Sequence, residues 1–162
     1  MMQKKVQIIS DGSLDLSQEL TKEKDIEVVP FYVSFDSETY QKEMVEVGVR
    51  EFYQEMVDHP TVFPKTSMPS VHDYYEVFEK HAKEQLPVIC ICITRKFSGS
   101  LQSATTAKDM ILEEYPDAQI TVIDSTVNTV LQGLYVLEAC RLRDMGLEYQ
   151  QIVDALLPIR ET

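Results

Sequence analysis

Hydrophobic and polar positions along this chain fall into two alternating periods. Short, nearly continuous apolar runs predict strands at Val6-Gln7-Ile8-Ile9, Val88-Ile89-Cys90-Ile91-Cys92-Ile93 and Ile120-Thr121-Val122-Ile123. A further β-rich run covers Val28 to Phe35, and Pro30 places its start at a sheet edge or a strand entry. Between these runs the spacing becomes helical. Ser17 is a suitable N-cap for a short helix through Glu23, and Val49, Phe52, Tyr53, Met56 and Val57 form one face of a helix that stops before Pro60. Ser70 with Asp73 resembles a capping box, opening a helix with Tyr74, Phe78, His81 and Ala82 on one side. Leu101, Ala104, Ala107, Ile111 and Tyr115 repeat at helical spacing until Pro116. A long apolar helix is predicted from about Asn128 to Met145, with Gly146 as its stop. Tyr149, Ile152, Val153, Leu156 and Leu157 make a last stripe before Pro158. Strands separated by helical segments predict an α/β fold: a mostly parallel sheet of about four strands, flanked by helices and joined by right-handed crossovers.

Three of the strands run into small, hydroxyl-rich clusters: Ser10-Asp11-Gly12-Ser13, Thr94-Arg95-Lys96-Phe97-Ser98-Gly99-Ser100 and Asp124-Ser125-Thr126. Open α/β sheets bind ligands outside the carboxyl ends of their strands, so the three clusters can converge on one crevice. Ser98-Gly99-Ser100 precedes a helix start, where unpaired N–H groups and the positive dipole end favour an anion. Read alone, it is equally a cap for that helix, and the cap is the commoner use. Pro64-Lys65-Thr66-Ser67-Met68-Pro69-Ser70 is a proline-braced extended stretch that sets Thr66 beside Ser67, or simply a turn ahead of Ser70. Asp11 with Ser13, and Asp124 with Ser125, each put a carboxylate at a strand end, where capping of local backbone is its usual role.

With 162 residues, 44 % hydrophobic and 26 % charged, the chain can bury a core without disulfides or a structural metal. Its three cysteines are too few for a disulfide framework, and Cys90 and Cys92, alternating with Ile, read as packing residues on one face of a strand. That usage fits a reducing cytoplasm, the expected location. Lys4 and Lys5 lead directly into a strand, so no leader is expected, and no apolar run approaches the ~18 residues of a membrane span. A formal charge of −12 argues against nucleic acid and anionic membrane as partners, but not against a small anion held by local dipoles. The phosphate loops G-x-x-x-x-G-K-[ST] and G-x-G-x-x-G are missing, as is the G-x-S-x-G elbow. His59, His72 and His81 lack metal-ligand spacing; His72 and His81 are expected to be solvated or half-buried on their helix. Glu113-Glu114 reads as a solvated helix face. Anion binding fits these residues better than catalysis, because no nucleophile has a recognisable base.

Four segments, in this order, resemble the DegV family of bacterial fatty-acid-binding proteins: Val6-Gln7-Ile8-Ile9-Ser10-Asp11-Gly12-Ser13, Pro64-Lys65-Thr66-Ser67-Met68-Pro69-Ser70, Ser98-Gly99-Ser100-Leu101-Gln102-Ser103-Ala104 and Val122-Ile123-Asp124-Ser125. The resemblance implies that residues 1–162 form the family's N-terminal α/β domain. It also implies a second α/β domain, absent from these residues, so the expectation is a chain truncated at the domain boundary. A long-chain fatty acid would be the ligand, with no cofactor or metal, and the carrier would present it to a separate fatty-acid kinase without catalysing the step itself. Carried over by motif, Thr66 and Ser98 bind the carboxylate, with Ser67, Gly99 and Ser100 beside them and Asp11, Ser13, Asp124 and Ser125 in support. The family's Asp-Ser after the first strand is Asp11-Gly12-Ser13 here, and Thr94-Arg95-Lys96-Phe97 is bulkier and more basic than the frequent Ser-rich version. Two other readings stand beside this one: a phosphoryl- or acyl-transfer enzyme using Ser98 or Asp124, and an interaction domain whose hydroxyl clusters are only caps. The stripe from Tyr149 to Leu157 and the abrupt ending at Pro158-Ile159-Arg160-Glu161-Thr162 lead to the expectation of an exposed apolar face that favours self-association.

Overall fold

A computed structural model describes residues 5–160 of the chain; Lys4, Glu161 and Thr162 of the sequence reading lie outside them. Four parallel strands form the main sheet: β1 (Gln7–Asp11), β2 (Ile26–Val29), β6 (Val88–Cys92) and β7 (Ile120–Asp124), in the order β2-β1-β6-β7. Every residue of β1 and of β6 is buried, as central parallel strands require when helices cover both faces. On one face Ile8, Ile89, Ile91 and Ile123 pack against α5 (Thr129–Asp144) and α6 (Tyr149–Ile159). On the other, Ile9, Val88, Cys90 and Cys92 pack against α3 (Val71–Lys83) and α4 (Ser100–Glu114). Each fully buried Ile contributes ~1.5–3 kcal/mol, which makes these two layers the main source of stability.

Two helix starts follow their predicted chemistry. Ser17 Oγ accepts the Leu20 N–H at the head of α1 (Gln18–Glu23), and Ser70 with Asp73 forms a reciprocal capping box on α3. Tyr74, Phe78, His81 and Ala82 are the buried residues of α3, the face that the sequence pattern selects.

Three features depart from the sequence reading. First, the Val28–Phe35 run is two strands in two sheets. Pro30 offers no N–H to the ladder, and the chain turns there into β3 (Tyr32–Ser34), which pairs antiparallel with β4 (Gln41–Lys42) and β5 (Lys65–Ser67) in a small second sheet. Second, α6 is not an exposed stripe. Ile152, Val153 and Leu156 are buried in the sheet-facing layer, Pro158 lies inside the last helical turn, and the Tyr135 hydroxyl donates to the Leu156 carbonyl at 2.7 Å. The expectation of an exposed face there is therefore wrong. Exposed apolar side chains occur instead at Phe97 and at Val130, Leu131 and Leu134 on α5. Third, His81 is buried rather than half-solvated, because its Nε2 lies 2.6 Å from Glu27 Oε2 on β2.

One helix has the right pattern and no burial. α2 (Val49–Asp58) is amphipathic, yet none of its residues is buried. Val49, Phe52 and Tyr53 line one wall of a groove of ≈ 1000 Å³ whose other wall includes Leu14, Leu16, Ile26 and Val28.

Candidate functional site

The sheet order fixes where a crevice forms. The chain leaves β1 for β2 on one side, then crosses back to β6 on the other, so the carboxyl ends of β1 and β6 flank the topological switch point. Asp11 ends β1 there, and Ser98-Gly99-Ser100 leads from the end of β6 into α4. Asp124, at the end of β7, is the next strand end along.

Asp11 is fully buried and takes four hydrogen bonds. Oδ1 accepts from the Ser13 N–H at 3.2 Å and from Gln132 Nε2 at 2.8 Å; Oδ2 accepts from the Ile93 N–H at 2.9 Å and from Ser100 Oγ at 2.8 Å. Burial raises the Asp11 carboxyl above its ordinary range, and those donors offset only part of the effect. Ser100 is equally buried. Its single hydroxyl hydrogen goes to Asp11, so the Tyr74 hydroxyl, 2.6 Å away, donates to it in turn. The Ser100 N–H donates to Ser98 Oγ at 3.1 Å. Neither the hydroxyl nor the N–H of Ser100 is therefore free for a ligand, and its part is to carry the turn.

Ser98 stands one residue before Gly99, the N-cap of α4. Its oxygen accepts the Ser100 N–H at the start of α4, which is capping, while its hydroxyl hydrogen is left to point elsewhere. Gly99 is exposed, and it is where the second segment arrives. A Cβ at residue 99 would lie 2.6 Å from Met68 Sδ and 3.2 Å from Met68 Cε, so Met68 rests on the glycine. This contact draws β5 against the α4 turn, and Thr66 and Ser67 precede Met68 directly. Both are exposed, and among the described residues neither side chain is engaged in a hydrogen bond. The Met68–Gly99 contact thus brings the segment that carries Thr66 and Ser67 against the turn that carries Ser98, with Lys65, Arg95 and Lys96 on the same two segments as positive charges in an acidic chain.

The remaining strand-end residues serve local backbone. Ser125 is buried, donating to the Val127 carbonyl and accepting the Val127 N–H. Asp124 accepts the Thr126 N–H at 2.9 Å and lies 3.7 Å from Arg95 Nε. At the end of β1, the missing Cβ of Gly12 makes room for the Glu43 carboxylate, which accepts the Phe31 N–H at 3.1 Å. Burial raises the Glu43 carboxyl, and the Asp11 charge adds to that, against the Phe31 hydrogen bond. No group of three or more His, Cys, Asp or Glu among the described residues could hold a metal ion, and none of their helices is long and apolar enough to cross a membrane.

Gln132 and Tyr74 were not read as site residues. Both look like ordinary members of apolar helix faces, and only the fold brings them to Asp11 and Ser100. A glutamine inside an otherwise apolar stretch was the one available signal for Gln132, whose Nε2 also reaches Ser10 Oγ at 3.1 Å.

Comparison with known proteins identifies the lineage. A family model described as "Uncharacterised protein, DegV family" matches residues 5–162. A DegV domain-containing protein of Clostridium acetobutylicum is 33 % identical over 94 % of this chain and 53 % of its own length. Among solved structures, a stearic acid-binding protein from Eubacterium ventriosum is 46 % identical with a TM-score of 0.89, over 93 % of this chain and 52 % of that one. A fatty-acid-binding DegV family protein from Thermus thermophilus is 29 % identical with a TM-score of 0.80, over 97 % and 54 %. The chain therefore spans about half the length of the relatives it matches. Matched from Lys5 to Thr162 and carrying the same α/β fold, it belongs to the DegV family.

Proposed function

We propose that this chain forms the head-group half of a long-chain fatty-acid carrier. The hydroxyls of Thr66, Ser67 and Ser98 and the exposed backbone at Gly99 receive the carboxylate, and the protein presents the acid to a separate fatty-acid kinase in the cytoplasm. The observation that carries the reading is the Met68–Gly99 contact, which brings two hydroxyl-bearing segments together beside the switch point. The stearic acid-binding protein from Eubacterium ventriosum, related over nearly all of this chain, supplies the ligand class. The energetics suit such a ligand. An acyl tail contributes up to ~0.8 kcal/mol per buried CH₂, and a carboxylate needs only a few well-aimed donors.

A carrier without catalysis of its own is favoured over a transferase. Each of the three histidines pairs with a glutamate on its own helix or on β2: His59 with Glu55, His72 with Glu76 and His81 with Glu27. Asp11 is committed to four donors, and its serine partner is the buried Ser100 rather than Ser98. Among the described residues, Ser98 therefore has no base to activate it. The three cysteines are free and buried, in keeping with a reducing compartment. Native mass spectrometry of the protein after incubation with stearate tests the reading: one acyl chain per protein is expected, and a chain that stays empty would overturn it.

A further inference from the structure

Beneath the proposed head-group turn lies a buried polar cluster drawn from four elements. Ser10 and Asp11 come from β1, Tyr74 from α3, Ser100 from α4 and Gln132 from α5, and all five have 0 % exposure. Asp11 has neutral donors only and no ion-pair partner among the described residues; Glu43, Tyr74 and Cys90 interact with its charge, and none of them is cationic. Burying a carboxylate in this way costs stability, and a neutral apolar cluster would fill the same space without that penalty. What the carboxylate supplies is geometry. Its two oxygens tie the end of β6 (Ile93 N–H), the first residue of α4 (Ser100 Oγ) and α5 (Gln132 Nε2) to the end of β1. Ser100, held this way, donates its N–H to Ser98 Oγ and so holds that oxygen in place.

We infer that Asp11 and Gln132 are positioning residues of the head-group site, acting on a bound carboxylate through Ser100 and Ser98 without touching it. The inference rests on the fatty-acid reading above. Asp11→Asn separates positioning from charge. The amide must turn its NH₂ toward either Ile93 and Ser100 or Ser13 and Gln132, and each side already presents donors, so the tie to Ser100 or the tie to Gln132 is broken. Removing a negative charge near an anion site would by itself tighten binding, so weaker binding can come only from lost geometry. Gln132→Met keeps the side-chain length and deletes the donor.

The test measures stearate affinity by equilibrium dialysis, together with melting temperature, for the wild-type chain, Asp11→Asn, Gln132→Met, Ser98→Ala and Asp11→Asn/Ser98→Ala. Positioning predicts about ten-fold or greater weakening in Asp11→Asn, a smaller loss in Gln132→Met, and a double variant binding no more weakly than Ser98→Ala. Melting temperatures that fall while affinity holds in both buried variants would overturn the inference. So would losses that multiply in the double variant. Should Asp11→Asn fail to fold, Gln132→Met with and without Ser98→Ala completes the same cycle. A wild-type chain that does not bind stearate would instead sink the fatty-acid reading, and the inference with it.

Discussion

Replacing Gly99 with alanine tests whether the two hydroxyl-bearing segments meet. Gly99 is the N-cap of α4 at φ −79° and ψ 5°, a conformation that alanine tolerates, so the backbone itself is not strained. The new Cβ would, however, stand 2.6 Å from Met68 Sδ, roughly 1 Å inside ordinary contact, and the thioether must move. Methionine has three rotatable bonds, so this displacement costs ~0.5–1.5 kcal/mol as a rotamer change. Alanine in place of glycine at an N-cap costs a further ~0.5–1 kcal/mol. The sum is ~1–2.5 kcal/mol, which lowers the melting temperature of a chain this size by roughly 2–10 °C. Urea denaturation of Gly99→Ala, Met68→Ala and the double variant separates the two parts. The capping loss persists without Met68, while the steric part disappears, giving a favourable coupling of ~0.5–1.5 kcal/mol in the double variant. Strictly additive losses would mean that Met68 does not rest on Gly99 and that the segments do not share a crevice.

Two other outcomes follow from the packing. Glu27 is pushed up by burial but brought below its ordinary value by hydrogen bonds from His81 and Lys80. Its contribution is therefore present above the usual carboxylate pKa and lost as pH falls through the lowered folded value. Glu27→Gln should cost ~1–3 kcal/mol in urea denaturation at pH 7, a gap that narrows as the pH falls below the ordinary glutamate range; a gap that is independent of pH would refute the pairing. Self-association is expected through the exposed Phe97, Val130, Leu131 and Leu134 and not through α6. Sedimentation should show association that Leu131→Glu/Leu134→Glu suppresses; a wild-type monomer that binds no apolar dye would contradict this.

Much of the architecture was legible because local chemistry and periodicity agree there. The capping box at Ser70 and Asp73, the all-apolar β6 and the helical stripe of α4 each carry a strong local signal that the tertiary fold does not override. The small β3-β4-β5 sheet was not legible. Its strands are two or three residues long and those of β5 are exposed, so no alternation develops, and pairing partners such as Val33 and Thr66 are far apart in sequence. α2 shows the opposite failure: its amphipathic pattern implies burial, but its apolar side faces an open groove. Within the candidate site, Thr66 and Ser98 were reachable from motif and turn chemistry. The burial of Ser100 and the arrival of Gln132 were not, since both depend on how α4 and α5 cross the end of β1. The full burial of His81 depends likewise on another element, since its partner Glu27 sits on β2.

Thr66 and Ser98 are proposed to hold a fatty-acid carboxylate, and the affinity of single variants for stearate decides whether they do. A hydrogen bond to a charged group is worth ~1.5–3 kcal/mol, so Thr66→Ala and Ser98→Ala should each raise the Kd about ten-fold or more. Thr66→Ala should leave the melting temperature nearly unchanged, since its exposed hydroxyl bonds to nothing among the described residues. Ser98→Ala should also lose ~1 kcal/mol of stability, because its oxygen accepts the Ser100 N–H. Unchanged stearate affinity in both variants, whatever happens to their stability, would contradict the account.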